Sequence, residues 1–196
     1  MNRTRFALAF LLLVIASAAA YGQHGTDSPT PSRPQTSAPT QQQNSARDAN
    51  REKLRAVLEV VGPKIDVAFR QSDKQPYNFV GVMKSGLKNS DALEIVISVS
   101  AEDTIHFRIF PHYQSAYLNI DKARSSDGLM RQMVRFSDAN FLFWGADRSG
   151  DIFGGYNFTL ESGFPEASIR VVLNSISKLD AFVGQMRPSI DGSTAP

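Results

Sequence analysis

Two hydrophobic periodicities alternate along this chain. Leu54, Val57, Leu58 and Val61 recur three and four residues apart until Gly62-Pro63. That spacing predicts an amphipathic helix with one face on a core, and Gly-Pro stops it. Asp48 stands where the N-cap belongs. The period then falls to two. Residues 65–70 and 77–83 read as strands, with a turn over Asp73, Lys74, Gln75 and Pro76. The clearest hairpin follows. Leu93, Ile95, Ile97 and Val99 alternate with Glu94, Val96 and Ser98, while Ile105, Phe107 and Ile109 alternate with His106, Arg108 and Phe110. Folding about residues 100–103 pairs Val99 with Ile105, Ile97 with Phe107 and Ile95 with Ile109. One face becomes wholly apolar, which specifies the register.

The second half returns to helical spacing. Ser125 or Ser126 caps a helix whose stripe is Leu129, Met130, Met133 and Val134, and Asn140 ends it. A strand begins at Phe141-Leu142-Phe143-Trp144. Residues 146–151 make a polar turn, and residues 152–160 form the return strand. Pro165 sits at the first position of the last helix. Ile169, Val172, Leu173, Ile176, Leu179, Val183 and Met186 trace its buried face, and Pro188 ends it. The order α-β-β-β-β-α-β-β-α predicts an α+β fold, an antiparallel sheet with three helices mainly on one face.

The N-terminus changes the picture of where this domain works. Arg3 and Arg5 precede an apolar run from Phe6 to Ala20, which closes on Ala18-Ala19-Ala20. This is the order of parts in a cleaved secretory signal, read as residues 1–20, and it is short for a transmembrane helix. No stable membrane span is therefore expected after cleavage. Residues 21–46 read as a disordered linker: Pro29, Pro31, Pro34 and Pro39 lie among Ser, Thr and Gln, with no large aliphatic residue. Residues 47–190 form the domain and residues 191–196 a flexible tail. The location is periplasmic or extracellular. Loss of Arg3 and Arg5 with the leader brings the 21 Lys+Arg level with the 19 Asp+Glu. The near-neutral mature chain gives no electrostatic case for nucleic acid. There is no cysteine, hence no disulfide, thiol nucleophile or zinc-thiolate site, and stability must come from apolar burial.

His24 lies in the linker, and His106 and His112 are about 20 Å apart if extended. Asp147, Ser149 and Asp151 lack the order and closing Glu of a calcium loop, so the segment reads as a hairpin turn. There is no G-x-S-x-G elbow and no phosphate loop. The sequence predicts no catalytic residue, no metal and no cofactor, and thus not an enzyme.

One feature calls for a partner. The strand from Phe141 is apolar at both parities, although a sheet covered on one side should be polar on the other. Across the hairpin Phe153 has opposite parity to Ile152, Tyr156 needs a partner for its hydroxyl, and Gly154-Gly155 flattens the surface between them. Phe141, Phe143, Trp144, Phe153 and Tyr156 are the candidate partner surface, for a protein partner or a second copy. Cover by the linker, by residues 113–117 or by a helix is the alternative.

The second half also has a particular texture: helix, Asn140, aromatic strand, an Asp147-x-x-Gly150-Asp151 turn, strand, Pro165-Glu166, and a long helix containing Leu179-Asp180. It resembles the YbjN family of bacterial proteins, whose fold is similar to that of type III secretion chaperones. The resemblance implies a sensory-transduction regulator without catalytic activity. The signal peptide and linker depart from the usual family setting, which points to an exported protein-binding or regulatory domain. An envelope small-molecule-binding domain, with a pocket between sheet and helix, is the other reading.

Overall fold

The computed structural model describes residues 41–139 and 142–193. The signal segment, the linker up to residue 40, Asn140 with the helix end expected there, Phe141 and residues 194–196 lie outside the described residues. Alternating apolar positions build an antiparallel sheet. Its strands are β1 (Arg70–Gln71), β2 (Asn78–Met83), β3 (Ala92–Val99), β4 (Thr104–Tyr113), β5 (Ala116–Tyr117), β6 (Phe143–Ala146) and β7 (Ile152–Thr159). The order across the sheet is β1-β2-β3-β4-β7-β6, with β5 on the end of β4. The central register is the expected one: Val99 faces Ile105, Ile97 faces Phe107 and Ile95 faces Ile109. All six side chains are fully buried. The fold is α+β, and the helices α1 (Gln41–Val61), α2 (Ser126–Ala139), α3 (Glu166–Ser175) and α4 (Leu179–Ile190) share one core with this apolar face. Among the described residues no helix is long and apolar enough to cross a membrane.

Several boundaries differ from the sequence reading. The first helix starts at Gln41, not at an Asp48 cap, and so takes in the end of the expected linker. Asp48 instead accepts a hydrogen bond from the Tyr77 hydroxyl at 3.0 Å and pairs with Arg51. Arg47 Nε donates to the Val99 carbonyl at 2.8 Å, and its guanidinium lies 3.6 Å from the centre of the Tyr77 ring. With these residues clamped to the sheet, Gln41 to Ser45 carry no proline to stop the helix running upstream. The strand expected over residues 65–70 shrinks to Arg70–Gln71. Pro63 starts a 3-10 turn over Gly62–Ile65, and Asp66 closes it in the left-handed region at φ 56°.

The last helix is broken rather than continuous. A 3-10 turn over Ile176–Lys178 separates α3 from α4. Ser175 Oγ donates to the Val172 carbonyl at 2.9 Å, a local bond that competes with the helical ladder. The break lets Ile169, Val172, Leu173 and Ile176 on one side, and Leu179, Val183 and Met186 on the other, all reach the core. Pro188 lies inside α4 instead of ending it. The last carbonyls are taken by the chain ahead of α2, where Ser125 N donates to Ser189 O and Arg124 N to Ile190 O. Ser125 also caps α2, its Oγ accepting from Gly128 N at 3.3 Å. The tail is tied at its start: Asp191 accepts from the Tyr113 hydroxyl at 2.8 Å and from Ser193 N at 2.8 Å. The Ser193 bonds, then the Tyr113 bond, hold the Asp191 carboxyl down at about 2.

The break also turns Asp180 inward, where it is 5 % exposed. Its carboxylate accepts from the backbone of Lys88, Asn89 and Ser90 at 2.8–3.1 Å. Ser90 Oγ and Asn89 Nδ2 add bonds of 2.5 and 3.1 Å. Burial pushes the carboxyl up, but the Ser90 hydroxyl and the three amides outweigh it and hold the group below the ordinary carboxylate value.

Leu173, fully buried on α3, gives the first test. Leu173→Asp should cost several kcal/mol, about 4, by placing a carboxylate among apolar side chains. Equilibrium urea unfolding measures it. Asp180 gives the second. Its folded pKa is depressed, so its stabilisation is full above the unfolded pKa and lost as pH falls through the folded one. Asp180→Asn should cost about 2–4 kcal/mol at neutral pH by leaving donors without an acceptor. It should also flatten the fall in stability as pH drops below the ordinary carboxylate value. An unchanged acid limb in the variant would contradict the assignment.

Candidate functional site

The side opposite the helices is an open sheet face. Residues of one parity cross it in rows. Val80, Val96, Arg108, Gly155 and Phe143 form one, and Asn78, Ser98, His106 and Asn157 form a polar one. Rings gather at the β4–β7–β6 end. Phe153 packs against Phe110 at 5.5 Å and Phe143 at 6.0 Å between centroids, and the Arg108 guanidinium lies 4.9 Å from its centre. Tyr117 extends the cluster, 5.9 Å from Phe110 and 4.4 Å from His112. Phe153 is thereby nearly buried at 7 %, while Phe143 and Tyr117 are each 39 % exposed and Val82 is 40 % exposed.

Gly155 makes this packing possible. A Cβ there would overlap the Phe143 ring, so the tip of the ring occupies the space a side chain would take. Its neighbour Gly154 does the same on the other face, where a Cβ would meet Leu179 Cδ2 at 2.8 Å. One Gly-Gly pair thus admits a phenyl ring from one side and a helix side chain from the other.

The expected surface is therefore split by the sheet. Phe143 and Phe153 lie on the open face. Trp144 and Tyr156 lie on the helix side, and Phe141 is outside the described residues. Trp144 is 8 % exposed and packs on Phe136 and Phe182 at 6.4 and 5.9 Å. It belongs to the core because α2 and α4 close over β6. On α2 the buried face is Leu129 and Met133, joined by the partly buried Phe136, whereas Met130 and Val134 of the expected stripe are 46 % and 70 % exposed. Phe110, Tyr117 and Arg108 were missed as members of the aromatic face. The strand alternation placed Phe110 outward, but only the pairing of β5 with β4 brings Tyr117 beside it.

Acidic side chains border the aromatic end. Tyr117 donates to Glu94 Oε2 at 2.8 Å, and His112 Nε2 stands 3.6 Å from the same oxygen. Burial, then the Glu94 hydrogen bond, then the charges of Glu94, Asp151 and Asp147 push the Tyr117 hydroxyl up to about 12. Asp147 and Asp151 close the β6–β7 turn: Asp147 Oδ1 accepts from Ser149 N at 2.8 Å and Asp151 N at 3.0 Å. Asn119 Nδ2 braces it through Ser149 O and Asp151 Oδ1. His106 sits opposite Ser98, as its parity predicts, with Nδ1 2.8 Å from Asn157 Oδ1. Among the described residues no group of three or more His, Asp or Glu is arranged to hold a metal ion.

A second concavity lies on the helix side. It is a cleft of about 530 Å³ between α3, α4 and β7. Leu142, Val172, Leu179, Phe158 and Phe182 supply apolar walls, and Tyr156, Ser175 and Lys178 bring polar groups to it. The Tyr156 hydroxyl is raised by burial and partly brought back by its bond to Ser175.

No protein-family model matches this chain, and no curated protein or solved structure matches it either.

The two faces predict different responses to truncation. Trp144→Ala and Phe153→Ala should each cost about 3–5 kcal/mol, because both side chains are enclosed. Phe143→Ala should cost about 1 kcal/mol, in proportion to its smaller buried share. Urea unfolding of the three variants checks the order.

Proposed function

We propose that this chain is an exported, non-catalytic protein-binding or regulatory domain of YbjN-like type. The open sheet face carries the reading. A four-ring cluster, with valines beside it, stands on the side away from the helices, and the helices fill the other side. Large aromatics dominate binding energy where they are held rigid, and Phe110, Phe143, Phe153 and Tyr117 hold one another through ring contacts. The partner is a protein or a second copy of this chain, not a nucleic acid. Export through the N-terminal signal places the domain in the periplasm or outside the cell.

The experiment is capture from cell-envelope extract on the immobilised mature chain, with sedimentation of the free chain alongside. Phe143→Lys should abolish capture or self-association while lowering folding stability by only about 1 kcal/mol. Capture by the folded variant at the wild-type level, with a monomeric wild type, would refute the surface.

A second reading has its own observation. The helix-side cleft combines apolar walls with a few convergent polar groups, the usual make-up of a small-molecule site. An envelope ligand-binding domain is the function it supports.

A further inference from the structure

The cleft between α3, α4 and β7 has a direction. Ala167, Val171 and Ser175 follow one another at helical spacing along α3, and Lys178 stands at the end of the 3-10 turn that follows. The first two are apolar and the last two are polar and cationic. On the opposite wall β7 contributes Tyr156, Asn157 and Phe158. Leu142, Leu179 and Phe182 add apolar surface. Ala167 to Ser175 covers about 12 Å of α3 and the 3-10 turn about 6 Å more to Lys178, the reach of a medium-length extended alkyl chain. Val171 is 68 % exposed at the mouth, a large share for an aliphatic side chain.

Charge complementarity gives the head group. Lys178 is exposed and makes no ion pair among the described residues. Ser175 Oγ donates its proton to the Val172 carbonyl. The polar end is thus a cation on the same wall as a hydroxyl whose proton is already placed. An ammonium head would meet like charge there, whereas a carboxylate would pair with Lys178.

We propose that this cleft binds a single-chain anionic amphiphile, a fatty-acid carboxylate in chemical class. The alkyl chain lies along α3 over Leu142, Leu179 and Phe182, and the carboxylate lies at Lys178. This rests on the second, ligand-binding reading and names its ligand. The aromatic face on the other side of the sheet takes no part in it.

Trp144 reports on the site without a label. It is the one tryptophan of the chain, and its ring lies 5.9 Å from Phe182, which lines the cleft. The full mature chain is titrated with sodium dodecanoate, dodecanol and dodecyltrimethylammonium, each below its micelle concentration. Tryptophan emission and isothermal titration calorimetry are the readouts. Dodecanoate should bind saturably, and at least tenfold more tightly than dodecyltrimethylammonium. Lys178→Gln should weaken dodecanoate at least fivefold and leave dodecanol unchanged. Val171→Glu should weaken both. Both altered positions are exposed, so thermal unfolding should match the wild type. Equal affinity for the three head groups, or a Lys178→Gln variant that binds dodecanoate as the wild type does, would overturn the carboxylate assignment and leave a general apolar pocket. Failure of all three amphiphiles to bind would overturn the ligand-binding reading as well.

Discussion

The Asp180 carboxylate holds the helical layer to the sheet. A charge this enclosed is retained only when its lone pairs are filled, and here the Lys88–Asn89–Ser90 backbone and the Ser90 hydroxyl fill them. The loop between β2 and β3 is thereby tied to the first turn of α4. Leu179 precedes Asp180, and Phe182 and Val183 follow it. The anchor therefore sets where α4 enters the core, which side of Trp144 it covers and how wide the cleft beside α3 remains. Gly184, one turn on, keeps the approach close, since a Cβ there would meet Asn89 Oδ1 at 2.6 Å.

Gly154 and Gly155 carry the complementary constraint in the sheet. Successive residues of a strand point to opposite faces, so two adjacent glycines thin the sheet on both sides at one point. Leu179 descends onto Gly154 and becomes part of the cleft floor. Phe143 lies on Gly155 and becomes the outer ring of the open-face cluster. The two candidate sites are back to back across the same dipeptide. A side chain at either glycine would be felt first by a different site.

The aromatic strand shows why an apolar run can be misread as one surface. Phe143 and Trp144 are consecutive, yet one touches solvent and the other touches α2 and α4. Ser137 Oγ accepts from Trp144 N at 2.9 Å, which locks the strand to α2 and leaves no freedom to exchange the two faces. The open face in turn gains residues from elsewhere. Arg108 covers Phe153 as a cation over a ring, and Tyr117 arrives by a tight turn through Gln114 and Ser115, both at positive φ.

The alternation of Leu93, Ile95, Ile97 and Val99 against Ile105, Phe107 and Ile109 determined the central hairpin and its register, because a slip by one residue would expose every one of these side chains. The same local patterning determined the α+β class, the Asp147–Asp151 turn and the identity of the core residues on the last helical segment. Tertiary structure alone decided the rest. Helical spacing places Val172 and Leu179 on one stripe, but it does not register a 3-10 turn at Ile176–Lys178, since each short piece keeps nearly the same period. Nor does Asp180 look different from a solvated helix acid until the loop 91 residues earlier in the chain is folded onto it. The parity of Phe143 and Trp144 was legible, yet which parity faces the helices depends on which side α2 and α4 pack. That choice is made by contacts between segments far apart in the chain, which no local period records.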